Sequence, residues 1–177
     1  MESEAQKALV VIVWSPKPGS PDRKVLLLRL NPDRGGYWQT ITGKIEPNET
    51  QGEGALREAN EETGLAFARS PQFLGLEQKF PSRWGGEARE KAFFLPIFGG
   101  SAPPTPRLDG KEHDSFEWLS PQEAAAKVKW PFNRQAIERA TSGQPPLLLS
   151  KRGIFFQDGE EICHERTVEL FHRSLNR

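Results

Sequence analysis

A mixed α/β fold is predicted for this chain by three observations. Short runs rich in β-branched residues and leucine recur on both sides of one strongly helical stretch. That stretch carries its own start and stop signals, and a second helical unit follows the last strand-like run. The length, 177 residues, suits one domain over 1–143 with a smaller appendage over 144–177.

Each element has a local reason. "KALVVIVW" (7–14) and "KVLLLRL" (24–30) read as strands, separated by the Pro/Gly-rich turn "SPKPGSPD". "YWQTIT" (37–42) reads as a third strand running into Gly43. From Thr50 to Thr63 the pattern is helical: Thr50 and Glu53 match a capping box and Gly64 a C-terminal stop. Gly52 and Gly54 each cost that helix about 1 kcal/mol relative to alanine. They point either to close packing or to a tolerated weak first turn. "QFLGLEQKF" (72–80), "EKAFFLPIF" (90–98) and "DSFEWLS" (114–120) are further strands, the last two joined by a Pro/Gly-rich loop. Ser120, Pro121 and Glu123 then start a helix to about Lys129, and another is expected over 132–141. Beyond Gly143 the expectation is a hairpin around Asp158-Gly159 and a short helix from about Thr167. Cys163 and His164 are too few ligands for a zinc site and read as structural.

Composition narrows the function classes. Twenty-four basic and twenty-four acidic residues balance, which gives no global field for nucleic acid or an anionic membrane. A single cysteine forms no internal disulfide and fits a reducing compartment. The N-terminal stretch has acidic residues where a secretion signal needs positive charge, and its apolar run is too short to span a bilayer. A cytoplasmic location is expected; a homodimer is left open.

The chemistry is concentrated in "REANEETG" (57–64). On a helix Glu58, Glu61 and Glu62 stand at i, i+3 and i+4 and share one face, where like charges repel by a few tenths of a kcal/mol per pair. A solvated surface would tolerate this. A hard divalent cation would relieve it, because Mg²⁺ takes a few carboxylates together with substrate phosphates. Arg57, eight residues after Glu49, is placed to pair with it across the loop–helix turn.

Residues 43–65, "GKIEPNETQGEGALREANEETGL", match the Nudix box G-x5-E-x7-R-E-U-x-E-E-x-G-U at every position, and the chain resembles the Nudix hydrolases from residue 5 to about 141. The resemblance implies an α/β/α sandwich with a mixed sheet that hydrolyses a diphosphate linked to another moiety X, using Mg²⁺ or Mn²⁺. It implies that Glu58, Glu61 and Glu62 are metal ligands, with Glu62 the chief one and also able to orient or deprotonate the attacking water. Arg57 and Glu49 become the structural pair, and the Gly43 carbonyl a further ligand.

A second stretch, "EHDSFEWLSPQEAAAKVKWPFNRQAIERA" (112–140) with "YWQTITGKIE" (37–46), is similar to one branch of that family, the bacterial dihydroneopterin triphosphate pyrophosphohydrolases. In that branch a glutamate before the last strand faces the metal, which points to Glu112; the alternative is a surface acid. The substrate is then a pterin or purine nucleoside triphosphate cut to monophosphate and pyrophosphate. Pro81, sixteen residues past Leu65, is a competing clue for ADP-ribose, or else a strand terminator. Nucleotide sugars, dinucleotides and RNA 5′ ends are further alternatives. A Nudix-fold sensor without turnover ranks last, because no box glutamate is missing. Trp38, Phe80, Trp84 and Trp130 are candidates to stack on X or to fill the core. Arg29, Lys79 and Arg83 are candidates for phosphate oxygens or for plain surface.

Overall fold

The computed structural model describes residues 4–82 and 85–142, together with the backbone of 148–149, 155–157 and 160–162. The chain divides into two compact units, Met1–Ser142 and Gly143–Arg177.

The first unit is a seven-stranded mixed sheet with helices on both faces. Strand β1 (Ala5–Ser15) lies at its centre and pairs in parallel with β6 (Glu87–Phe98) along its whole length. On its other side β1 is shared. Lys7–Val10 pair with β4 (Ile41–Lys44), while Val13 and Trp14 pair with β2 (Lys24–Leu30). Strand β2 continues to β3 (Trp38–Gln39) and β7 (His113–Leu119), and β5 (Gln72–Pro81) closes the other edge beside β6.

The strand period of two sorts the side chains of β1 and β2 between two cores. Leu9, Val11, Val13, Val25 and Leu27 face α2 (Pro121–Lys127) and α3 (Pro131–Thr141), against Ala124, Phe132, Ala136 and Ile137. Ala8, Val10, Ile12, Leu26 and Leu28 face α1 (Gln51–Thr63), against Ala55 and Ala59. Burial on both faces explains why these strands are unbroken apolar runs and do not alternate.

Three departures from the sequence expectation have a visible cause. The run 37–42 is two strands, because Thr40 leaves the ladder: its N–H and its hydroxyl both donate to Asn133 Oδ1 on α3, at 3.0 and 2.9 Å. Strand β6 begins at Glu87, extended by its pairing with the first residues of β1. Helix α2 stops at Lys127 because Val128 turns extended (φ −69°, ψ 142°) and buries its side chain in the core.

In the second unit β8 (Leu148–Leu149), β9 (Phe155–Gln157) and β10 (Glu160–Ile162) form a small antiparallel sheet, with Gln157 opposite Glu160. Asp158 and Gly159, where the turn of the hairpin is expected, lie outside the described residues. Cys163, His164 and the helix expected from Thr167 lie outside the described residues. Among the described residues no helix is long and apolar enough to cross a membrane.

Candidate active site

Local chemistry sets both ends of α1. Thr50 Oγ1 accepts the Glu53 N–H at 3.2 Å and Glu53 Oε2 accepts the Thr50 N–H at 2.7 Å. At the other end Gly64 takes the left-handed conformation (φ 63°, ψ 12°) and its N–H donates to Asn60 O, a conformation that glycine adopts at little cost. Glycines at two further positions have separable reasons. A Cβ on Gly54 would lie 2.6 Å from both Glu49 Oε1 and Ile45 Cδ1, whereas one on Gly52 would meet nothing within 4 Å. Close packing accounts for Gly54, and Gly52 is a tolerated weak position.

The three carboxylates of the helix face are not equivalent. The Glu61 side chain is 60% exposed, Glu58 is 15% and Glu62 is 10%. Arg57 sits among them as the cation that offsets their repulsion. Its Nη1 donates to Glu58 Oε1 at 2.9 Å and to Glu61 Oε2 at 3.2 Å. Its Nε and Nη2 form a fork on the Glu49 carboxylate at 3.0 and 2.6 Å, and Nη2 also reaches Lys44 O at 2.8 Å. Glu49 Oε1 accepts the Glu46 N–H as well. The Arg57 hydrogen bonds, and then that backbone N–H, hold the Glu49 pKa down at about 2. One guanidinium thus ties the loop after β4 to the helix and orders two of the three acids.

Gly43, on β4, makes room for this arrangement. A Cβ there would fall 1.9 Å from Glu58 Cδ and 2.3 Å from Glu58 Oε1, so the Glu58 side chain lies directly on the bare Cα.

Glu62 is the unusual member. Among the described residues its Oε2 is buried without a hydrogen-bond partner, and the nearest basic atom is His113 Nδ1 at 3.9 Å. Burial, reinforced by the charges of Glu58 and Glu112, raises its pKa well above the carboxylate range, against a smaller opposing effect of Lys7. Burial also raises Glu58, with Arg57 opposing. Glu112, just before β7, therefore stands within the field of both acids. Its own carboxylate pairs with Arg34 Nη1 at 3.1 Å on the surface, and its carbonyl accepts the Asn31 N–H.

These donors fit a hard divalent cation. A buried carboxylate oxygen left without a partner costs about 1–3 kcal/mol or more, and Glu62 Oε2 is such an atom. Glu58, Glu61, Glu112 and the Gly43 carbonyl add oxygens of the type that Mg²⁺ and Mn²⁺ take. Among the described residues no three such side chains already converge as a metal-holding group, since Glu58 and Glu61 turn to Arg57 and Glu112 to Arg34.

The other candidates are engaged elsewhere. Arg29 forks onto Asp114 at 2.8 and 3.0 Å and donates to Ser115 Oγ. Lys79 pairs with Glu87 and Glu4. Trp38 packs against the core under α2 and α3, the face of the sheet opposite α1, with Lys127 Nζ 4.3 Å from its ring centre. Phe80 is half-buried on β5 with Lys7 Nζ 5.9 Å from its ring, and Trp130 is exposed beside Tyr37. Arg83 and Trp84 lie outside the described residues. His113 and Lys7 were missed as site residues. Of these only His113 left a signal, its place next to Glu112 in "EH".

Comparison with known proteins bears directly on this arrangement. The family model described as NUDIX domain matches residues 5–140. An octanoyltransferase of Myxococcus xanthus is 34% identical over 127 residues, 71% of this chain but only 34% of that longer protein; the chain spans about a third of it. A CTP pyrophosphohydrolase of Escherichia coli K12 is 32% identical over 105 residues (58% of this chain, 71% of the relative). The dihydroneopterin triphosphate diphosphatase of the same organism is 30% identical over 144 residues, 75% of this chain and 89% of the relative. The solved structure of the E. coli dihydroneopterin triphosphate pyrophosphohydrolase superposes with a TM-score of 0.60 at 26% identity, covering 76% of this chain and 92% of that one. With a complete box on a capped helix, a mixed sheet between helices and relatives named as pyrophosphohydrolases, the chain belongs to the NUDIX domain family of hydrolases.

Proposed function

We propose that the protein is a divalent-metal-dependent pyrophosphohydrolase acting on a pterin or purine nucleoside triphosphate. Water adds at phosphorus and the bond between the α- and β-phosphates breaks, leaving the monophosphate and pyrophosphate. The observation that carries the metal dependence is the buried, unpartnered oxygen of Glu62 beside Glu58 and Glu112. Glu58, Glu61, Glu62, Glu112 and the Gly43 carbonyl are the residues that would hold Mg²⁺ or Mn²⁺. When bound, the metal supplies charge neutralisation on the diphosphate and activation of the attacking water.

The chain's own residues do the rest. Glu62 is the residue suited to orient the attacking water or to take a proton from it. Arg57 keeps Glu58 and Glu61 in place from behind, and Glu49 keeps Arg57 in place. The substrate assignment rests on the resemblance of residues 112–140 and on a relative matched over most of both chains. Pro81, the clue for ADP-ribose, is the last residue of β5, where a residue without an N–H ends a ladder; its position is accounted for without a substrate.

The test is a product assay over dihydroneopterin triphosphate, purine and pyrimidine triphosphates, ADP-ribose and 5′-triphosphorylated RNA, with Mg²⁺ and with excess EDTA. The expected result is pyrophosphate from dihydroneopterin triphosphate or a purine triphosphate at the highest kcat/KM, abolished by EDTA. AMP from ADP-ribose at far higher efficiency would overturn the substrate, and full activity in EDTA would overturn the metal.

A further inference from the structure

Across three strands of the sheet runs a row of polar side chains that the hydrolytic site does not use. Lys7 on β1 is the direct partner of Glu90 on β6, and Glu90 is the partner of Gln78 on β5. The strand period of two puts Lys7 and Glu90 on the face of Leu9 and Ala92, one row beyond the core under α2 and α3. Glu90 is 4% exposed. Its one hydrogen bond among the described residues comes from Gln78 Nε2 to Oε2, at 2.7 Å. The other oxygen, Oε1, takes no hydrogen bond among them and, unlike Glu62 Oε2, is not sealed from solvent. A carboxylate this deep destabilises a fold unless cations and donors surround it. Here a single carboxamide does, so the stability of the sheet gives no reason for an acid.

The surroundings suit a flat, polar-edged ligand. Phe80 lies one row further along the same face, opposite Ala88; it is half-buried, with Lys7 Nζ 5.9 Å from its ring. On its other side Lys7 partners Lys44, the neighbour of Gly43. Two strand spacings, about 10 Å, therefore separate Glu90 from the residue beside the Gly43 carbonyl, within the length of one nucleotide. The charge of Lys7 acts on both buried acids, lowering the pKa of Glu62 and of Glu90 against the larger effect of burial.

We propose that Glu90, held by Gln78, is the specificity-determining residue for the heterocycle, taking the 2-amino-4-oxopyrimidine edge that pterins and guanine share. The carboxylate accepts the ring N–H and the amino N–H of that edge, and the ring lies along Phe80. Adenine presents a lone pair where the ring N–H is needed and leaves the acceptor unpaired, the kind of mismatch that a hydrogen-bonding site rejects. This rests on the triphosphate reading above and narrows it to two ring systems.

The test is calorimetric binding in EDTA, where neither metal nor turnover enters. GMP should bind the wild type about 10–100-fold tighter than AMP, the scale of hydrogen bonds to a charged group. IMP, which has the ring N–H without the amino group, should fall between them. Neopterin against adenosine is the parallel arm: a preference there that exceeds the GMP preference supports the inference and names a pterin as the source. Glu90→Leu should remove the preference. Glu90→Gln, which keeps an oxygen for Gln78 and turns an N–H toward the ring, should remove or invert it. Each variant removes a buried charge, so neither should lower Tm. No binding of any of these ligands, equal wild-type affinities in both arms, or a preference intact in Glu90→Gln would overturn the inference. A lower Tm with the preference intact would show a merely structural acid. The pyrophosphate assay decides the reaction separately. Ring preference without triphosphate turnover would retire the reaction and keep the role of Glu90; turnover without ring preference would do the reverse.

Discussion

Replacing Gly43 with alanine tests whether the Glu58 carboxylate works from where the structure places it. Gly43 is a strand residue outside the left-handed region, so its backbone accepts a side chain. The three atoms nearest a new Cβ all belong to Glu58: Cδ, Cγ and Oε1, at 1.9, 2.1 and 2.3 Å. No methyl group fits at that distance, so the Glu58 side chain must swing out and give up its hydrogen bond to Arg57. A charge-assisted bond on a largely buried carboxylate is worth about 1.5–3 kcal/mol. With about 2–4 °C of Tm per kcal/mol for a chain of this size, 2 kcal/mol lowers Tm by about 4–8 °C. Loss of one electrostatic group from the site lowers kcat on the order of 10²-fold. Calorimetry and a steady-state pyrophosphate assay measure the two. The decisive control is Glu58→Ala, which empties the space the methyl group needs. Gly43→Ala should then be nearly neutral for stability in that background, a non-additivity expected of touching residues. The same Tm penalty in both backgrounds, or a wild-type rate in the single variant, refutes the placement of Glu58.

Other outcomes follow from the same geometry. Glu62→Gln should lower kcat by about 10³-fold while leaving Tm equal or higher, because it removes a buried charge; unchanged turnover would refute its role. The raised Glu62 pKa means that the folded chain binds the proton more tightly than the unfolded one. In EDTA the wild type should lose stability as pH rises from the ordinary carboxylate range toward that raised value, a slope that Glu62→Gln reduces in a Tm-versus-pH series. Glu49, depressed to about 2, acts in the opposite sense: its contribution is present above the ordinary range and is lost as pH falls toward 2. Arg57→Ala should lower Tm and kcat together, since it releases Glu49, Glu58 and Glu61 at once; an unchanged Tm would assign Arg57 to substrate. Asn133→Leu leaves two buried donors of Thr40 without an acceptor, so Tm should fall by about 4–8 °C for about 2 kcal/mol, with circular dichroism reading the shift.

Much of this protein is legible along the chain because its reasons are local. The limits of α1 follow from Thr50, Glu53 and Gly64, which act within one helical turn. The positions of β1 and β2 follow from apolar runs that only a doubly covered strand tolerates, and the common face of Glu58, Glu61 and Glu62 follows from helical periodicity. The tertiary structure decided whatever depends on groups far apart in sequence. Periodicity treats the three acids alike, yet packing exposes Glu61, half-commits Glu58 to Arg57 and buries Glu62 without a partner. Arg29 and Lys79 looked like free cations until the sheet register set Asp114 and Glu87 beside them. The break at Thr40 needed Asn133, ninety-three residues away, and the row of Lys7, Glu90 and Gln78 needs β1, β6 and β5 together. A charge or a hydrogen bond takes its value from burial and from the partner opposite, and both are properties of the folded chain.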